Sequence, residues 1–409
     1  MAESNPDAPT GGRTTRKTIQ AIMPDGTVKA LAQQDEYTLH EEGVYICGHS
    51  HVSGSSKKAS AYVWRGRLVS DAVFEQGKGA AKRVAYEMSA GTPVVVLQGH
   101  EPASFLQALG GIMVTRRGSR EGAPKKYMLC GRKHLGHITF DEVDFVVTSL
   151  CAGFVYLISY PVTLQQMKMY LWKGSACSAE EISAARLAAM DLSETGEIIE
   201  VDNGAEFASF LRIFGIGTTK ASVPKTTPFL RQKALAPDRF KAHLFRIQQL
   251  EEKPSLFHSL LNRRPSWNGR SPSCDNEEVK VAAKHISPFG QDDFEAEGIY
   301  LLDAHSELHL ILGPLFASQQ ENVRDTLLAQ ALLFTAEYAD IAAEERPMAP
   351  QASVLFRGFP PDLKILFRHW DEQRGLWGTA GLMAGIRASM ANDVKVLPVD
   401  DVLTAVCQD

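Results

Sequence analysis

The 409-residue sequence has no C-x-x-C pair. Its six cysteines, Cys47, Cys130, Cys151, Cys177, Cys274 and Cys407, are scattered, which offers neither zinc-ligand spacing nor a disulfide framework and reads as reduced thiols. An excess of positive charge is also missing. Lys and Arg number 43 against 48 Asp and Glu, a net charge of −5, which excludes a protein whose main partner is nucleic acid, because such partners demand many phosphate-neutralising cations. No apolar run reaches the roughly 20 residues needed to cross a bilayer. The best candidate, "VVTSLCAGFVYLISYPV", is broken by small polar residues and ends at a proline, so it reads as core strands and no transmembrane segment is expected. The opening "MAESNPDAPTGGRTTRKT" lacks the apolar core of a signal peptide and reads as a flexible leader of a cytoplasmic protein.

Catalytic signatures are absent as well. There is no H-E-x-x-H, no G-x-S-x-G and no strand followed by GxxxxGK[ST], the spacings that would build a zinc protease, a nucleophile elbow or a phosphate loop. His49 and His51 straddle Ser50 without a defined partner. The expectation is a protein that is not an enzyme, has no catalytic residues and needs no cofactor.

What the sequence does contain is a threefold internal repeat, the sign of a modular architecture. "VVVLQGHEPASFLQALGG", residues 94–111, is echoed by "IIEVDNGAEFASFLRIFG", 198–215, and "SVLFRGFPPDLKILFRHW", 353–370. Each has an apolar strand, a glycine turn and a short helix with Leu and Phe at helical spacing. Upstream lie "SAYVWRG", "KMYLWKG" and "ELHLILG", strands that stop at a glycine, and before them "EGVYICG", "GFVYLIS" and "EGIYLLD". Between the second and third signatures sits a long helix: "DAVFEQGKGAAKRVAYEM", "AEEISAARLAAMDL" and "QENVRDTLLAQALLFTAEY", each apolar at i, i+3, i+4 and i+7. The unit is strand, strand, long helix, strand, short helix. The fold class is α/β of the α+β type, three domains each with a central mixed sheet between one long and one short helix. Burial of both sheet faces would account for continuous runs such as "VVVL". The boundaries expected are a leader at 1–18, domains at 19–122, 127–250 and 279–409, and a Pro- and Ser-rich linker at 251–278.

With these signatures aligned, the chain resembles the gelsolin/villin superfamily. "VVLQGHEPASFLQALGG" looks like the end of a gelsolin-like repeat and "YVWRG" and "YLWKG" like its central strand, with Ile311 in place of the tryptophan in the third. The first two units most resemble the fourth and fifth repeats of six-repeat proteins, as in a C-terminal half, with a fainter likeness to fungal forms. The resemblance implies actin as partner in the cytoskeleton, through filament side-binding, capping or severing, switched by calcium and antagonised by phosphoinositides. A gelsolin-fold scaffold that binds proteins or phosphoinositides without actin is the alternative, since fold alone does not license function.

The family's calcium site uses an Asp just before the "V-Y-L-L" strand and a Glu from the long helix, and a hard cation needs several such oxygens. The Asp position is Gly43, Phe154 and Gly298 here, while the helix Glu persists as Glu75 and Glu181, with Gln320 and Glu321 in the third unit. Gly43, Glu75 and Glu181 thus mark incomplete sites, and weak or lost calcium control is expected. The resemblance assigns actin contact to the first long helix, with Val73, Phe74, Lys78, Lys82 and Val84 as candidates. It assigns phosphoinositide contact to the basic stretch between units, Arg116, Arg117, Arg120, Lys125 and Lys126, where cations near an anionic surface gain roughly 1 kcal/mol each.

Overall fold

The computed structural model describes residues 13–23, 25–53, 55–163, 166–193, 197–215, 241–249, 281–346, 349–371, 376–377 and 395–406. They form three mixed sheets. The first has the order β2-β1-β4-β5-β6, built from β1 (Arg13–Ile22), β2 (Val28–Ala30), β4 (Val44–Ser53), β5 (Ser56–Arg65) and β6 (Val94–Leu97). Helix α1 (Asp71–Glu87) covers one face, its Phe74, Ala80, Ala81 and Val84 meeting Val44, Ile46 and Val63. Helix α2 (Ala103–Leu109) closes the other face, where Phe105, Leu106 and Leu109 join Tyr45, Tyr62, Trp64 and Val96. Alternate residues of each strand therefore feed two different cores, as the period of two requires.

The second sheet runs β12-β11-β10-β8-β9-β7-β3. Its strands are β3 (Thr38–His40), β7 (Ile112–Arg116), β8 (Tyr127–His134), β9 (His137–Val143), β10 (Val155–Pro161), β11 (Met167–Lys173) and β12 (Ile198–Asp202). Helices α3 (Ala179–Leu192) and α4 (Ala208–Arg212) accompany it. The third runs β14-β13-β15-β16-β17-β18, with β13 (His243–Gln249), β14 (Val281–Ile286), β15 (Ile299–Asp303), β16 (Glu307–Leu312), β17 (Gln351–Arg357) and β18 (Lys395–Pro398). Helices α5 (Glu321–Glu345), α6 (Pro361–Lys364) and α7 (Val399–Val406) belong to the same region.

A single glycine position explains the repeat's most regular mark. A Cβ on Gly66, Gly174 or Gly313 would lie 2.3, 2.4 or 2.4 Å from the carbonyl oxygen of Glu41, Ala152 or Ala296. Each central strand ends where another backbone passes too close for a side chain, so glycine recurs.

Several boundaries differ from the sequence reading. β1 starts at Arg13, inside the stretch read as leader, because its antiparallel pairing with β4 begins there. β13 lies within the expected second domain yet pairs with β14 and β15 of the third sheet. The expected linker at 251–278 lies outside the described residues, but its flanks Gln249 and Val281 are register partners. That stretch therefore joins neighbouring strands of one sheet rather than two domains. The basic inter-unit stretch contains β7, which pairs with β9 and with β3 from the first repeat. By chain contacts the molecule divides into two compact units, the first comprising Met1–Arg239, Pro288–Gly290 and Phe367–Asp371 and the second the remainder.

Candidate functional site

The first repeat's long helix approaches its sheet through small residues. A Cβ on Gly77 would sit 2.4 Å from Val44 Cγ1, so the helix axis comes closer than a larger residue permits. Of the five residues read as partner-facing, Phe74 and Val84 are buried in the helix–sheet core, because the helix must cover its own sheet. This corrects their assignment. Lys78 is partly buried, donating to Glu75 (2.6 Å) and lying 4.8 Å from the Phe74 ring centroid. Val73 and Lys82 are exposed, and so is Tyr86, at 87 % the more open of the two exposed large hydrophobic residues of α1.

The exposed apolar surface of the first repeat includes residues of β6. β6 is outermost in its sheet, parallel to β5, with Val63 opposite Val95 and Arg65 opposite Leu97. Val63 belongs to the core beneath α1 and Arg65 stacks over Phe74, so Val95 and Leu97 lie on the α1 side of the sheet. Both are nearly half exposed, as is Leu68 in the turn into α1. The "VVVL" run is therefore not buried on both faces: only Val96 is. The result is a groove between the long helix and the sheet edge, floored by Val95 and Leu97.

The same groove differs in the other two repeats: in the second it is an open cavity of about 500 Å3 lined by charged residues that include Lys173, Arg186 and Asp202, and in the third it is covered. In the second, β11 and β12 put Glu200 opposite Leu171 and Asp202 opposite Lys173, the positions of Val95 and Leu97. Arg186 of α3 grips Glu200 with two hydrogen bonds (2.7 and 3.0 Å), and Lys173 bridges Glu200 and Asp202 (2.8 and 3.0 Å). These hydrogen bonds from Arg186 and then Lys173 hold Glu200 at a pKa of about 2. In the third, Val354 stands opposite Leu310 and is fully buried, under β18 and α7.

The donor set does not fit calcium. A Cβ on Gly43 would lie 2.6 Å from Tyr45 Cε2, and one on Gly298 2.5 Å from Tyr300 Cε2, so the tyrosine ring two residues on occupies the space of a ligand side chain. Phe154 is buried under the Arg132 guanidinium. Glu75 is exposed beside Lys78, whereas Glu181 is buried and spent: it accepts from Ser178 N (2.9 Å), Ser178 Oγ (3.0 Å) and Lys133 N (3.1 Å). The Ser178 and Glu181 contacts form a reciprocal capping box, which satisfies two orphan donors of the first turn. Among the described residues, no three His, Cys, Asp or Glu converge on a metal position.

The basic stretch is similarly committed to internal contacts. Arg116 is buried, bonded to Glu142 (2.7 Å) and the Pro124 carbonyl (2.8 Å) and stacked on Tyr127. Arg117 pairs with Asp144 (2.6 Å), and Arg120 binds the Thr38 carbonyl (2.9 Å) and Asp35. Lys126 lies over the Phe145 ring. Arg116, Arg120 and Lys125 also line a cavity of about 320 Å3 with Asp35, His40 and Asp191.

The densest electrostatic site was not legible in the sequence. Arg368, 3 % exposed, binds Asp141 through Nε and Nη2 (3.0 and 3.2 Å) and Glu101 through Nη1 (3.1 Å). Asp141 also accepts from Thr115 (2.7 Å) and faces His369 Nε2 at 3.1 Å. Glu101 accepts from the Trp64 indole (2.9 Å) and Gly99 N (3.0 Å). The second repeat copies only that last pair, with Glu206 accepting from Trp172 (2.9 Å). Burial alone would raise the Asp141 pKa, but the charge of the Arg368 guanidinium and its hydrogen bonds hold it far below the usual carboxylate range. Burial pushes His369 down to about 3, so the imidazole is neutral at physiological pH.

Three sheets of one repeated plan, each with a long helix and a parallel pairing of the strand before that helix with the strand after it, define a multidomain repeat protein of the gelsolin type. Residues 18–117 match a family described as a domain of unknown function, DUF7904. Villin-4 of Arabidopsis thaliana is 21 % identical over 384 residues, covering 87 % of this chain and 34 % of its own length. Gelsolin of Drosophila melanogaster is 24 % identical over 340 residues, covering 80 % and 36 %, and supervillin of Bos taurus 28 % identical over 188 residues, covering 42 % and 8 %. Among solved structures, that of the Thorarchaeota 2DGel3/rabbit actin complex covers 60 % of this chain and all of its own at 15 % identity, with a TM-score of 0.18, too low to bear on the site. The chain belongs to the gelsolin/villin superfamily. It spans about a third of the length of the villins it matches.

Proposed function

We propose that the chain is a cytoplasmic, cytoskeletal actin-binding protein that engages actin through its first repeat. The observation carrying this reading is the groove between α1 and β6, which among the described residues is uncovered and floored by half-exposed Val95 and Leu97, where the second repeat has Glu200 and Asp202 and the third a buried Val354. Fully burying a Val or Leu side chain is worth about 1.5–3 kcal/mol. Val95 and Leu97 are already half buried, so their remaining exposed surface offers on the order of 2 kcal/mol in sum, a central apolar contact of the kind that anchors interfaces. Exposed Lys82 and Arg83 on α1 supply a charged rim.

The same reading includes weak or absent calcium control, supported by the tyrosine rings beside Gly43 and Gly298 and by the capping role of Glu181. Phosphoinositide contact at Arg116, Arg117 and Arg120 is disfavoured, because all three already have carboxylate partners within the protein. Co-sedimentation with actin filaments, with and without calcium, tests the proposal. Pelleting that is equal in both conditions supports it, and failure to pellet in either contradicts it in favour of a scaffold that has lost actin. Capping and severing are separated from side-binding by the rate of filament growth and by filament length.

A further inference from the structure

The third repeat carries its own occupant for the groove that the first leaves open. β18 runs antiparallel to β17, placing Leu397 opposite Val354, and α7 follows directly from it. Val399 and Val402 are buried and Leu403 partly buried in the same cluster as Leu327 and Leu328 of α5 and Val354 of β17. The polar side of this helix carries Asp400 and Asp401 in its first turn. The consequence shows in two equivalent residues: Val354 is 0 % exposed, whereas Val95 is 47 % exposed.

We propose that the first repeat's groove takes a segment of the same build from a partner protein. That segment is an extended strand that adds antiparallel to the outer edge of β6, followed by a short helix with aliphatic residues on one side and acidic residues in its first turn. Three observations carry this. The register of β5 with β6 matches that of β16 with β17, so the two edges present equivalent backbone and side-chain positions. β6 is the outermost strand among the described residues, and an outer edge is a template for strand addition. The acidic first turn suits the exposed Lys82 and Arg83 of α1, since complementary charge fixes orientation. The second repeat makes the contrast, with Glu200 and Asp202 already held by Arg186 and Lys173. A partner protein rather than a second copy is the occupant, because a second copy would have to withdraw β18 and α7 from its own Val354.

The inference rests on the groove reading above, and the experiment keeps the two apart. A fluorescent peptide with the sequence of residues 395–406, "KVLPVDDVLTAV", serves as the probe and is titrated into the full chain by anisotropy. Saturable binding is expected, weakened about tenfold or more by Val95→Glu in the chain or by Asp at the Val402 position of the peptide, and unchanged by Leu187→Asp in the second repeat. Val95→Glu is compatible with folding because Glu200 occupies the equivalent site. No saturable binding, or binding indifferent to Val95→Glu, overturns the proposal. If Val95→Glu abolishes actin pelleting while the peptide does not bind, the groove reading stands and this inference falls. A concentration-dependent dimer in sedimentation that Val402→Asp in the chain abolishes would make the occupant a second copy and overturn the partner assignment.

Discussion

Replacing Arg368 by methionine removes the one cation that faces both Glu101 and Asp141 across hydrogen bonds of 3.0–3.2 Å, while both carboxylates stay fully buried. Methionine fills comparable volume, so the dominant effect is electrostatic rather than a cavity. Breaking a buried ion pair from one side typically costs about 3–5 kcal/mol, because the remaining charge is stranded away from water. Two stranded carboxylates put this site toward the upper end of that range. The sign with pH follows from Asp141. In the native protein its pKa is depressed, so its stabilising contribution is present above the ordinary carboxylate value and lost only as pH falls through the folded value. Without Arg368 the same group stays buried without its guanidinium counter-charge, its pKa rises, and the penalty is largest at neutral pH and shrinks toward pH 5. Urea unfolding at both pH values, followed by tryptophan fluorescence, reads this directly because the Trp64 indole donates to Glu101. Adding Glu101→Gln and Asp141→Asn to Arg368→Met should recover most of the loss. A single variant within about 0.5 kcal/mol of the parent at neutral pH, the spread of an ordinary surface substitution, would refute the reasoning.

Three further outcomes are expected. His40, His49 and His369 are driven by burial to about 3, 4 and 3, below their unfolded value near 6.5. They are neutral when folded, and unfolding takes up protons once the pH drops below about 6.5. Stability should therefore decline from there toward pH 4 with a slope of up to about 1.4 kcal/mol per pH unit for each histidine, and a urea midpoint that does not move between pH 7 and 5 contradicts this. Gly174→Ala forces a Cβ to 2.4 Å from the Ala152 carbonyl and should cost about 1–3 kcal/mol or more, measured as a fall in denaturation midpoint, whereas Gly79→Ala, with open space around it, should not destabilise. Ser178→Ala leaves the Glu181 backbone N–H without its cap acceptor and its carboxylate short of one donor, a loss of about 1–2 kcal/mol. A negligible change in thermal midpoint there would mean that the capping box does not hold α3.

The repeat, the order of its elements and the long helices were legible because periodicity and glycine punctuation are local. Gly66, Gly174 and Gly313 recur for a reason that can be stated in ångströms. Burial at the sheet edge was not local. "VVVL" reads as a fully buried run by itself, and only its echo "IIEVD", with Glu200 and Asp202 where Val95 and Leu97 stand, carried the sign that this face meets solvent. The five candidates on α1 mixed both sides of one helix, since apolar content marks Phe74 and Val84 whichever way they turn. The basic stretch 116–126 shows a related limit: charge is visible in sequence, but the acids that pair with Arg116, Arg117 and Arg120, namely Glu142, Asp144 and Asp35, lie on other elements. Arg368, Glu101 and Asp141 have no common spacing, so the fold alone could assemble them.

The open groove of the first repeat is proposed above as a docking face for actin. Co-sedimentation of the parent and of Val95→Glu with actin filaments, in the absence of calcium, tests it most directly. The parent should pellet with filaments, and Val95→Glu, folded by circular dichroism, should lose most of that binding. A parent that stays in the supernatant, or a Val95→Glu variant that pellets as well as the parent, would contradict it.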